Sequence, residues 1–205
     1  MPDAGAQASS SDESLVRQVL AGSEEAFACL VERHKEQALR IAYSLLNNYE
    51  DAKEVSQDAF VHAYRALGSF RQDARFRTWF YRILVNACRD RRRSLASWRA
   101  WVPWRLESPR SGSSDPDADT IFAEPQAQGP TPRDAAADRE LGRRLTQALD
   151  ALPPRQRAAF NLRYLHGLTL EEVAETMGTS LGAVKAQVFH AGRKLRVQLN
   201  GFMER

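Results

Sequence analysis

The stretch "LTLEEVAETMGTSLGAVKAQVFHAGRKLR", residues 168–196, holds two amphipathic helical patterns with only Gly178, Thr179 and Ser180 between them. So short a break makes the pair a tight helix–turn–helix, and this limits the possible folds more than any other stretch. Thr169-Leu170-Glu171-Glu172 fits a capping box, with Thr169 as the cap and Glu172 reaching back to it. Leu170, Val173, Ala174 and Met177 share one face, and Gly178 is placed to end the helix in a left-handed cap. Ser180 can cap the second helix, whose buried face is predicted as Leu181, Val184, Val188, Ala191 and Leu195. Lys185, Ala186, Gln187, Phe189, His190 and Arg193 then point outward, with no acid among them. A surface hairpin with solvated charges is the plain alternative. Turn length, the acid-free face and an aromatic among bases favour a helix that enters the major groove, with cations for phosphates and side chains for base edges.

The rest of the chain divides by periodicity. Residues 1–11 are small and polar and read as a disordered tail. Residues 12–94 are helical with few breaks: Leu15, Val16, Val19 and Leu20 mark a short helix before Gly22, and Ser23 caps the next. Its stripe runs Phe27, Leu30, Val31, His34, Ala38, Ile41, Ala42, Leu45, and Asn47-Asn48 end it. A third helix covers roughly 51–67, and a fourth starts near Phe76 and passes Cys88. Residues 95–138 lose the period and are rich in Pro, Ser, Gly and Asp, which reads as an extended linker. Periodicity returns over 139–205. No alternating strand pattern occurs, so the expected fold is all-α: two small helical domains joined by a long linker.

Charge is unevenly placed. Residues 65–93 carry nine Arg against Asp73 and Asp90, a local balance of +7. Residues 107–138 carry seven acids against Arg110 and Arg133, a local balance of −5. In the first of these, Phe76, Trp79, Phe80, Ile83, Leu84 and Ala87 make a core stripe, while Arg82, Asn86, Arg89 and Arg93 fall on another. The loop before them mixes Phe70, Arg71, Gln72 and Asp73. Such a mixture suits a single-strand platform, in which Arg tracks phosphates and other side chains hold unstacked bases; a solvated basic face is the alternative. The preceding helix differs, because Glu50, Glu54, Gln57 and Asp58 form an acidic and polar face that would repel DNA and attract a basic protein.

Other classes find little support. There is no P-loop, HExxH, GxSxG or Cys/His cluster, so neither catalysis nor a metal or other cofactor is expected. Cys29 and Cys88 lie in apolar helical patterns without CxxC partners, which fits free thiols in a reducing, cytoplasmic setting. The first residues lack the basic and apolar regions of a signal peptide, and no apolar run reaches membrane-spanning length, so no membrane insertion is expected. A conventional helix-turn-helix regulator with a helical sensor domain remains open, although it gives the acidic face and basic loop no role.

Taken together, three stretches resemble the sigma-70 family of bacterial RNA polymerase sigma factors, in its extracytoplasmic-function (ECF) subgroup and similar to sigma-E. "DAKEVSQDAFVHAYRALGSFR" resembles region 2.2 and the segment after it, and "FRTWFYRILVNACRDRRR" resembles regions 2.3 and 2.4. "LDALPPRQRAAFNLRYLHGLTLEEVAETMGTSLGAVKAQVFHAGRKLR" resembles region 4. The resemblance implies a transcription initiation factor whose partners are core RNA polymerase (β′ clamp helices and β), promoter DNA and an anti-sigma factor. It implies polymerase docking by Asp51, Glu54, Gln57 and Asp58. It implies capture of the melted −10 element by the 69–77 loop, with Phe70, Arg71, Gln72, Asp73, Arg75 and Arg77, and by Arg82, Asn86 and Arg89. Lys185, Ala186, Gln187, Phe189, His190 and Arg193 would read the −35 element, with Arg157, Lys194 and Arg196 on phosphates. The acidic linker would thread the polymerase's nucleic-acid path. The family usually has further Arg where this sequence has Gln187, His190 and Gly192.

Overall fold

The computed structural model describes residues 11–70, 74–101 and 132–203. The tail up to residue 10, loop residues 71–73 and the middle of the segment read as a linker therefore lie outside the described residues. Ser11, read as the last tail residue, instead caps the first helix: its side chain accepts from the Ser14 N–H at 3.2 Å. No strand occurs among the described residues. The helices divide into two units, one built on α1–α4 and one on α5, α6, α8 and the start of α7.

In the first unit α1 spans Asp12–Leu20 and α2 Glu24–Leu46. Between them Gly22 has φ 101°, a left-handed value that a side chain would strain. The Ser23 side chain caps α2, and Asn47 at φ 55° ends it. Asn48 then caps α3 (Tyr49–Ala66), accepting from the Asp51 N–H at 2.9 Å. Nine residues are too few for a helix stable by itself, so α1 depends on what it packs against. Leu15 and Val16 are fully buried, each contributing about 1.5–3 kcal/mol relative to exposure. A 3-10 turn (Leu67–Ser69) leads toward α4 (Phe76–Trp101). The core lies where Leu30, Ile41, Phe60, Phe76, Phe80 and Leu84 meet, with the Phe60 and Phe80 rings stacked at 4.4 Å.

The second unit begins with α5 (Pro132–Asp150) and α6 (Pro154–Phe160), the latter started by Pro154, whose fixed φ suits a first turn. A π-turn over Asn161–Leu165 leads to Gly167, at φ 69°. Then come α7 (Leu170–Met177) and α8 (Leu181–Met203). Ala148 and Leu152 pack with Ala191 and Leu195, flanked by Leu149, Phe160 and Leu199.

Both edges of the segment read as linker are helical. α4 continues past 94 to Trp101, and α5 begins at Pro132 rather than 139. Ser94–Trp101 contains no Gly or Pro, so nothing in it stops a helix already formed. Among the described residues no helix is long and apolar enough to cross a membrane.

Candidate nucleic-acid and partner interfaces

The helix–turn–helix forms as its capping signals dictate. The Thr169 hydroxyl accepts from the Glu172 N–H at 3.1 Å, and the Glu172 carboxylate accepts from the Thr169 N–H at 2.9 Å. Each bond satisfies a backbone donor or cap that the helix start leaves open. Gly178 stands at φ 60°, and the Thr179 N–H reaches back to the Ala174 carbonyl at 2.9 Å. The Ser180 hydroxyl accepts from the Ala183 N–H at 3.2 Å and so starts α8.

Burial divides α8 as its period requires. Val184 and Ala191 are fully buried and Leu195 nearly so. Leu181 and Val188 are half-buried. Lys185, Ala186, Phe189, His190, Arg193, Lys194 and Arg196 are exposed, and Gln187 is half-buried. Phe189 stands out at 66% exposure, its ring edge-on to His190 at 5.7 Å. A large apolar side chain held in water beside cations suits contact with a base or sugar face.

Arg157 corrects the phosphate assignment. It is only 3% exposed and forms an ion pair with Asp150 on the preceding helix. Its guanidinium is itself buried and committed to the part-exposed Asp150 carboxylate, which gives Arg157 a structural role and does not offer it to a phosphate. Lys194 and Arg196 remain as outward cations.

In the first unit the basic run of α4 separates into two sets. Arg82 and Arg89 are exposed and Asn86 is half-buried, on one stripe with exposed Arg93. Arg91 and Arg92 turn inward instead. Arg91 Nε lies 2.9 Å from Asp51 Oδ1, and its Nη2 pairs with Glu54. The Nε–H does not point along the first of these lines, which is therefore an ionic contact rather than a hydrogen bond. Arg92 donates to the Leu45 carbonyl at 3.2 Å, tying α4 to the end of α2.

The acidic face of α3 is thus partly neutralised from within. Asp51 and Glu54 share Arg91, but Glu54 is exposed along with Gln57 and Asp58. Asp51 has a side chain only 23% exposed and is the most internal of the four.

The loop assignment also changes. Phe70 is 9% exposed, its ring 4.9 Å from Trp79 and edge-on to Phe76 at 6.3 Å. It anchors the loop to the core and is not offered to a base. Arg75 is exposed, and its carbonyl accepts from the Thr78 and Trp79 N–H groups to start α4; Arg77 is half-buried. Arg71, Gln72 and Asp73 lie outside the described residues.

One pair went unread in the sequence. His34, on the apolar stripe of α2, is 6% exposed, and its Nε2 lies 2.8 Å from Asp12 Oδ2. A carboxylate only accepts, so Nε2 carries the proton and donates. Arg33 donates to the other carboxylate oxygen at 2.6 Å. Burial pushes the Asp12 carboxyl up, but the hydrogen bonds and charges of His34 and Arg33 outweigh it and hold it below the ordinary aspartate range. Among the described residues no group of three or more His, Cys, Asp or Glu is arranged to hold a metal ion.

Comparison with known proteins finds relatives for both helical units. The model of Sigma-70 region 2 matches residues 30–99, and that of Sigma-70, region 4 matches residues 142–195. The ECF RNA polymerase sigma factor SigW of Bacillus subtilis is 30% identical over 184 residues, covering 90% of this chain and 94% of SigW. The ECF RNA polymerase sigma-E factor of Escherichia coli K12 is 35% identical over 189 residues, covering 88% and 90%. Among solved structures, CnrH in complex with the cytosolic domain of CnrY has a TM-score of 0.64 at 28% identity, over 93% of this chain and 98% of that one. RpoE of Bartonella quintana, in complex with the anti-sigma factor NepR, shares the fold at a TM-score of 0.57 and 22% identity, over 85% and 96%.

Proposed function

Because this chain belongs to the extracytoplasmic-function group of the sigma-70 family, and so is a transcription initiation factor that directs core RNA polymerase to promoters, we propose how its surfaces divide that work. Gln57 and Asp58, with Glu54 and more marginally Asp51, dock the clamp helices of the polymerase β′ subunit. Arg75, Arg77, Arg82, Asn86 and Arg89, with Arg71, Gln72 and Asp73 of the loop, capture the melted −10 strand. Lys185, Ala186, Gln187, Phe189, His190 and Arg193 read the −35 duplex, with Lys194 and Arg196 on phosphates and β as the neighbouring polymerase subunit. Domains at about 12–94 and 139–205 carry these tasks, and the acidic stretch between them lies along the polymerase's nucleic-acid path.

The observation that carries this reading is the separation of charge within one small domain. Exposed Gln57 and Asp58 lie on α3, while exposed Arg82 and Arg89 lie on α4. A surface that attracts a basic protein and one that attracts phosphates are thereby kept on different helices. Each DNA contact is small, and polymerase joins them so that the second forms at high effective concentration. By family likeness the chain acts in the cytoplasm under control of an anti-sigma factor, as a non-catalytic subunit. Replacing Arg82 and Arg89 together by Ala should reduce promoter opening more than polymerase binding. Equal loss of both activities would contradict the assignment.

A further inference from the structure

Arg75, whose carbonyl starts α4, and Arg77 in its first turn lead into Arg82. What holds that turn is not confined to its own helix. Phe76 is fully buried, and the His34 ring lies against it at 5.6 Å, tilted by 50°. The same imidazole meets Phe80 at 6.3 Å and stands edge-on to Tyr81 at 6.4 Å. Phe76 in turn touches Trp79 at 5.9 Å and Phe70 at 6.3 Å. A histidine packed among aromatic residues keeps its orientation only if its polar nitrogen is satisfied, because a buried donor without an acceptor is costly.

Asp12 supplies that acceptor from α1, and Arg33 holds the second carboxylate oxygen. Asp12 lies outside the residues matched to region 2, which begin at 30. We propose that Asp12 and His34 are positioning residues for promoter opening: α1 fixes the His34 ring, and the ring fixes the first turn of α4. Neither residue touches DNA. Without Asp12 the imidazole turns to find another partner, the contact with Phe76 is lost, and the Arg75–Arg77 turn loses its fixed aim at the strand. The proposal rests on the −10 reading of α4 and adds to it a second helix, distant in sequence.

The test uses the full chain with core RNA polymerase, on a promoter fragment whose start site has been mapped with the wild-type protein. The temperature is chosen so that circular dichroism shows every variant folded. Permanganate reactivity of unpaired thymines reads opening, and titration of labelled protein reads polymerase docking. Asp12→Ala should lower opening about tenfold, the scale of one lost hydrogen bond to a charged group, with docking unchanged within about twofold. Asp12→Asn keeps an acceptor oxygen and should retain more opening than Asp12→Ala. His34→Phe fills the space without needing Asp12, so adding Asp12→Ala to it should cost no further opening. Equal loss of opening and docking, or wild-type opening by Asp12→Ala, would overturn the proposal while leaving the family reading intact. A wild-type protein that opens no promoter with active core polymerase would overturn both.

Discussion

Arg91 of α4 stands 2.9 Å from Asp51 of α3, and the same guanidinium pairs with Glu54 one turn further along. The cation that these two acids share is therefore part of the domain's internal structure. Arg89, two residues away, is exposed.

Substituting these two arginines should have opposite effects. Arg91→Ala is expected to lower stability by about 1 kcal/mol, the upper end for a partly exposed pair, with little effect on promoter opening. Arg89→Ala should do the reverse. Chemical denaturation read beside permanganate footprinting checks both. Similar opening defects in the two variants would show that Arg91 also serves DNA.

The ion pair of the second unit, buried on its arginine side, makes a sharper prediction. Asp150→Ala leaves the Arg157 guanidinium, 3% exposed, without this carboxylate, and should destabilise that unit by about 2–3 kcal/mol. Replacing Lys194 or Arg196 should instead flatten the salt dependence of duplex binding, with little change in melting temperature. Thermal denaturation and binding isotherms at several salt concentrations separate the two classes.

Acid should weaken the first unit through Asp12. Its folded carboxyl lies below the ordinary range, so the unfolded state binds more protons in the window between the two values. The contribution is complete above the unfolded value, about 3.9, and is lost as pH falls through the lower folded one. The stability gap between wild type and Asp12→Asn should therefore narrow below about pH 4. Urea denaturation at a series of pH values measures it, and a gap that widens in acid would reverse the sign.

Cys88 is buried against the α4 core, and burial pushes its thiol up to about 12. Thiolate is the reactive form, so Cys88 should resist alkylation by iodoacetamide at pH 8 in the folded protein and react on unfolding. Peptide mapping by mass spectrometry reads the site directly. Rapid labelling of native protein would mean that α4 opens locally.

Much of this architecture was legible in short-range chemistry. Asn47, Gly178 and the Thr169/Glu172 box act within a few residues of themselves, so local pattern defines them and the structure places each as expected. The errors come from longer range. An aromatic in a loop reads equally well as a platform or an anchor, and Trp79 decides for Phe70 only once the chain has folded back. Arg157 reads as an outward cation until Asp150 is brought across the Pro153-Pro154 turn. A usable signal existed for Arg91 and Arg92. They come three and four residues after buried Cys88 and so continue the stripe of Phe76, Phe80 and Leu84, not that of Arg82 and Arg89.

The most direct test of the central claim is reconstitution: purified protein and bacterial core RNA polymerase, assayed for co-elution and for transcripts from genomic fragments. The expected result is a stable complex with discrete, protein-dependent start sites, from whose upstream sequences the −10 and −35 elements can be read. Failure to bind active core, together with sequence-specific duplex binding by the protein alone, would contradict it.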